Sequence, residues 1–125
     1  DIWEYFGQFF RTNRKDEMWL RYIYGLWNDK KDHSSALENF QSTYNSSTQF
    51  HIYGFNWTNS DMKWYIDGQL VHTKTKGTEV PILDWPNKNM CMVINNGLMR
   101  VVEEGNTTFP NSLIIDYLRI YQKDN

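Results

Sequence analysis

The stretch from Met62 to Thr73 constrains the fold more than any other part of the chain. Met62, Trp64 and Ile66 alternate with Lys63 and Tyr65. Successive side chains of a strand point to opposite faces, so this period of two predicts a strand with one apolar face in a core. Asp67-Gly68 follows at once. A two-residue type I′ turn needs positive φ at both central positions, and Asp-Gly supplies it. Gln69 to Thr73 is then the returning strand of a hairpin. Just upstream, Phe50 to Thr58 is rich in aromatics and bounded by polar residues, which predicts another strand.

Two continuous apolar runs, Asn89 to Asn95 and Leu113 to Tyr121, fit strands buried on both faces of a sandwich. Leu26 to Gln49 is polar, rich in Ser, Asn and Lys, and long for a connection, which predicts a functional or irregular loop. Within it Ser35-Ala36-Leu37-Glu38 matches a capping box and predicts the start of one short helix. No internal repeat is visible. The chain therefore reads as all-β, one domain or a piece of one at 125 residues.

Aromatic residues make up 17% of the chain, with six Trp and eight Tyr, which suits a β-rich core and leaves a few rings for a cleft. Trp57 and Trp64 lie within predicted strands and belong to the core. Trp27 opens the long loop and Trp85 precedes Pro86 at a strand entry, so both are expected at a rim; Trp3 and Trp19 are further candidates for a binding surface. The balance of 13 basic and 15 acidic residues offers no clustered basic face for nucleic acid. No apolar stretch approaches the roughly 20 residues of a membrane span. The single cysteine, Cys91, excludes an internal disulfide and sits in an apolar run, where burial is expected. His33, His51 and His72 have no ligand spacing that would suit zinc.

Four blocks resemble one family. Phe50-His51-Ile52-Tyr53-Gly54-Phe55-Asn56-Trp57-Thr58, then Met62-Lys63-Trp64-Tyr65-Ile66-Asp67-Gly68, is similar to paired strands of family 16 of the glycoside hydrolases. Trp85-Pro86 with Met92 to Asn95, and Thr108-Phe109-Pro110 with Ile115 to Tyr121, resemble its later segments, in the family's order. Asp1-Ile2-Trp3-Glu4 resembles the end of its Glu-x-Asp-x-x-Glu signature. The resemblance covers nearly the whole chain and the C-terminal half of a family domain. It implies an antiparallel jelly-roll sandwich of the concanavalin A-like type.

The resemblance also implies retaining endo-hydrolysis of a β-linked polysaccharide, a glucan or galactan, by two carboxyl groups about 5–5.5 Å apart. Glu4 would be the acid/base and Asp1 the helper. Trp27, Trp85 and Trp3 would contact sugar. The nucleophile would stand two residues before Asp1, outside this sequence, so the fragment alone is expected to be inactive. A β-bulge at Ile2 or Trp3 would bring Asp1 and Glu4 to one face. Ile23 stands where the family often has a His. No cofactor is required; a structural calcium, with Asp116 as one ligand, is a further implication. Partners would be a polysaccharide or oligosaccharide, with a homodimer or pairing with the missing N-terminal half to cover open strand edges. The family implies a secreted or periplasmic protein. The alternative is a non-catalytic carbohydrate-binding or structural domain of the same fold.

Overall fold

A computed structural model describes residues 2–5, 16–25, 27–46, 48–95 and 112–123, with the backbone alone for residues 4, 5, 24 and 27. The chain divides into two units, Asp1–Asn89 and Met90–Asn125.

The first unit contains the expected hairpin. Strands β6 (Tyr53–Trp57), β7 (Asp61–Ile66) and β8 (Gln69–Thr75) form an antiparallel sheet in that order. Met62, Trp64 and Ile66 of β7 are buried, whereas Lys63 and Tyr65 are half-buried. Asp67 and Gly68 have φ of 51° and 79°, as a type I′ turn requires. The register shifts between Trp64, opposite His72, and Tyr65, opposite Leu70. Val71 is thus an extra residue that bends β8.

A second sheet includes two strands, β4 and β5, from the segment expected to be loop. β1 (Trp3–Tyr5) pairs with β2 (Met18–Leu20), and β2 with β5 (Ser35–Leu37). β3 (Ile23–Tyr24) pairs with β4 (Lys31–Asp32). Between these pairs, Tyr22 and His33 exchange backbone hydrogen bonds of 3.4 and 2.9 Å. Residues 18–24 and 31–37 are therefore one antiparallel ribbon in a single register. A 3₁₀ turn at Trp27–Asp29 and Gly25 (φ 99°) reverse the chain; a Cβ at Gly25 would lie 3.0 Å from the Asp29 carbonyl oxygen. The polarity that suggested a loop belongs to the returning strand, whose side chains are exposed or half-buried.

The expected capping box is also corrected. Ser35 lies in a strand, and helix α1 runs from Phe40 to Tyr44. Its first turn is capped from 26 residues away: Asp16 accepts the Ser42 N–H at 2.8 Å and the Ser42 hydroxyl, and its carbonyl takes the Phe40 N–H at 2.7 Å. Tertiary structure has replaced the local cap.

The two sheets share one core of Met18, Leu20 and Tyr22 on one side and Met62, Trp64 and Ile66 on the other, closed by Phe40, Val80 and Trp85. Polar links cross it. The Trp64 indole N–H donates to the Ile2 carbonyl at 2.9 Å, and buried Lys74 donates to the Ser35 hydroxyl at 2.7 Å. Trp57 departs from expectation, being 38% exposed at the end of β6, where the sheet stops covering it.

In the second unit the described residues 90–95 and 112–123 form no strand. Val93, Ile120 and Tyr121 are 75%, 73% and 82% exposed, and Cys91 is exposed too. Both expected buried strands, and the expected burial of Cys91, are thus corrected. A buried strand needs neighbours for its backbone N–H and C=O groups. Among the described residues no segment pairs with either run. No helix of the described residues is long and apolar enough to cross a membrane.

Candidate active site

The residue matched to the acid/base is placed by β1. Trp3 faces Leu20, Glu4 faces Trp19 and Tyr5 faces Met18, with no register shift. The Arg21 N–H reaches the Ile2 carbonyl at 3.1 Å and continues the ladder. No bulge is present at Ile2 or Trp3 within the described strand, contrary to expectation. Since Met18 and Leu20 are buried, positions 3 and 5 fall on the core face and position 4 on the other. Glu4 takes its register position opposite Trp19 without a bulge between Trp3 and Tyr5. Asp1 lies outside the described residues.

The same alternation corrects Trp3. It packs against the core, with its ring edge-on to Tyr53 at 5.3 Å. Trp85 is corrected as well: it is 5% exposed, and its indole N–H donates to the Thr58 carbonyl at 3.2 Å. A ring anchored inside a core cannot offer a face to sugar at a rim. Trp27 has its backbone in the turn at the tip of the ribbon; its side chain lies outside the description. Asp116 is exposed, and among the described residues no three His, Cys, Asp or Glu side chains gather to hold a metal. One carboxylate falls short of the six or more oxygens a calcium ion takes, so the described residues do not by themselves make a calcium site.

What the ribbon does assemble around position 4 was only partly visible in the sequence. Trp19, Arg21 and Ile23 alternate with the buried Leu20 and Tyr22, and so share the Glu4 face. Ala36, directly opposite Trp19, and Asp32, directly opposite Ile23, belong to it from the returning strands. The Arg21 guanidinium pairs with Asp32 at 2.7 Å and sits 5.7 Å from the centre of the Trp19 ring. Ser34 donates to the other Asp32 oxygen. Burial pushes the Asp32 carboxyl up, but the Ser34 hydroxyl and the Arg21 charge outweigh it and hold the group below the usual carboxylate range. Asp32 is thus ionised at neutral pH.

This arrangement can do two things with a sugar. An indole can cover the apolar C–H face of a pyranose, and a fixed guanidinium–carboxylate pair offers donors and acceptors to hydroxyls. Position 4 lies opposite Trp19 in the ladder. Period-two alternation through Trp19-Leu20-Arg21-Tyr22-Ile23 was the available signal, masked by the polar residues after it.

Comparison with known proteins gives the surface a context. The profile described as "Glycosyl hydrolases family 16" matches residues 3–117. A "Beta-glucanase" of Paenibacillus polymyxa is 47% identical over 38 residues, covering 30% of this chain and 15% of that protein. One from Bacillus licheniformis is 42% identical over 38 residues, with the same coverage of 30% and 15%. A third, from Rhodothermus marinus, is 28% identical over 87 residues, covering 60% of this chain and 29% of that protein. The chain spans less than a third of the length of these relatives. With a match running from β1 into the second unit, the chain belongs to family 16 of the glycosyl hydrolases.

Proposed function

We propose that the chain forms the acid/base side of a β-glycan hydrolase that cleaves internal bonds with retention of configuration. The observation that carries this is the place of Glu4. It lies in β1, directly opposite Trp19 in the strand register. Family membership and the names of the relatives support a β-glucan as substrate.

In this scheme Glu4 gives its proton to the leaving oxygen and then takes one from water, the double role of a retaining acid/base. Such a group must stay protonated near its working pH, so neighbours must raise its pKa. Asp1, as helper, would serve that end. Trp19 covers one sugar face, and the Arg21–Asp32 pair takes hydroxyls. Asp116 enters only as one candidate ligand of a structural calcium. A polymeric substrate does not cross a membrane, which supports action outside the cytoplasm.

Product stereochemistry tests the scheme. The polypeptide as its gene encodes it, mixed with barley β-glucan, should release new chain ends in the β-anomeric form, read by proton NMR before mutarotation. Ends that appear first in the α form would exclude retention. Absence of any cleavage of barley β-glucan, laminarin or agarose would favour a non-catalytic glycan-binding role.

A further inference from the structure

His51 joins three parts of the first unit. Its Nδ1 lies 2.7 Å from an Asp67 carboxylate oxygen in the β7–β8 turn. Its Nε2 is hydrogen-bonded to the carbonyl of Tyr44, the last residue of α1. The ring packs edge-on against Tyr44 at 5.7 Å and Tyr53 at 6.5 Å. The histidine side chain is 9% exposed.

Both hydrogen-bond partners are acceptors. A neutral imidazole carries one N–H, so it can satisfy only one of them and must turn a lone pair toward the other oxygen. Only the imidazolium donates from both nitrogens. Asp67 is held as an acceptor: the Ile52 N–H donates to its second oxygen at 2.9 Å and, with His51, keeps the carboxyl below the usual range. Its position is fixed by the tight turn, where its φ is 51°.

We propose that His51 is a proton-operated latch, closed when charged, that clips the end of α1 and residues 48–50 onto the β7–β8 turn. Loss of the proton opens this segment. The start of α1 stays in place, because Phe40 is fully buried and Asp16 caps the first turn independently of His51. Opening is therefore confined to residues 44–51.

The groups facing the ring are the Asp67 carboxylate, the Tyr44 carbonyl and phenol, and the Tyr53 phenol. The hydrogen bond to Asp67 raises the affinity of His51 for its proton; burial opposes this, and the Tyr44 carbonyl and the Asp67 charge add to the rise. A folded pKa above the unfolded one gives stability that is fully present below the unfolded pKa. That stability is lost as pH rises through the folded pKa. The latch is thus closed below the ordinary histidine range and opens as pH rises through the raised His51 midpoint.

The full chain can be titrated by NMR through its histidine Cε1–H signals, with hydrogen exchange of residues 44–52 followed from about pH 5 to about pH 9 and corrected for base catalysis. His51 should titrate above an ordinary histidine, while His72, whose pKa burial lowers, titrates below one. Protection of residues 44–52 should fall across the His51 transition, about tenfold for each unit by which its midpoint exceeds the unfolded value. Asp67→Asn should lower the His51 midpoint, and His51→Gln should abolish the pH-dependent step in protection. A wild-type midpoint at or below that of ordinary histidine overturns the latch without any variant. So does an equal pH-dependent loss of protection in His51→Gln.

Discussion

Truncating Trp64 should be among the most costly single changes at the described residues of the first unit. Its ring is fully buried between the sheets, 5.0 Å from Phe55 and 5.6 Å from His72. Its N–H reaches Ile2 at 2.9 Å and so ties β1 to the hairpin sheet. Trp64→Ala removes the ring and leaves a cavity, a change that costs about 3–5 kcal/mol. Trp64→Phe keeps most of the apolar contact and loses one hydrogen bond, worth about 1 kcal/mol. The Ile2 carbonyl would not be stranded, because it also accepts the Arg21 N–H at 3.1 Å. The phenylalanine variant should thus lose about 1–2 kcal/mol, the sum of that bond and a small packing defect. Urea unfolding followed by far-UV circular dichroism separates the two cases. A chain has only about 5–15 kcal/mol to lose, so Trp64→Ala should shift the midpoint strongly or leave the chain unfolded in water. A shift below about 1 kcal/mol for Trp64→Ala, or equal shifts for both variants, would refute a Trp64-centred core.

Other changes follow from the same packing. Trp85→Ala should lower stability by about 3–5 kcal/mol in the same urea assay; a loss confined to glycan binding would restore Trp85 to a rim. Gly68→Ala should cost about 1–2 kcal/mol through its positive φ alone, because nothing lies within 4 Å of the added methyl; no measurable loss would contradict the type I′ turn. Burial lowers the affinity of Lys74 for its proton, so at neutral pH the folded state carries a penalty that the unfolded state does not. Lys74→Met should then be as stable as the wild type or more so at pH 7, and a lower denaturation midpoint would mean that the Ser35 hydrogen bond outweighs the burial cost.

The hairpin was legible because its information is local. Alternation in Met62 to Ile66 and the Asp67-Gly68 turn each act within a few residues, and both appear in the structure. The second sheet was hidden for the opposite reason. Residues 31–37 carry no buried side chain, and they become strands because residues 18–24 offer a backbone to pair with. Helix α1 depends on Asp16, which no local pattern connects to Ser42. For the site, the Asp1–Glu4 spacing drew attention to a bulge, yet residues 3–5 pair with 18–20 in an unbroken register. Trp85 was misplaced because a tryptophan beside a proline reads the same at a rim as in a core. Only the Thr58 carbonyl and the surrounding burial decide between them.

The role of Glu4 is tested most directly by how its loss depends on the leaving group. Glu4→Gln, made in the polypeptide as its gene encodes it, keeps the size of the side chain and removes the proton. Cleavage of β-glucan, whose leaving sugar needs that proton, should fall by roughly 10²–10⁴-fold in kcat/KM. Release of a nitrophenol from an aryl β-glycoside, which leaves readily without a proton, should be slowed much less in its first step. Equal losses on the two substrates, or none on either, would contradict the assignment of Glu4 as the proton donor.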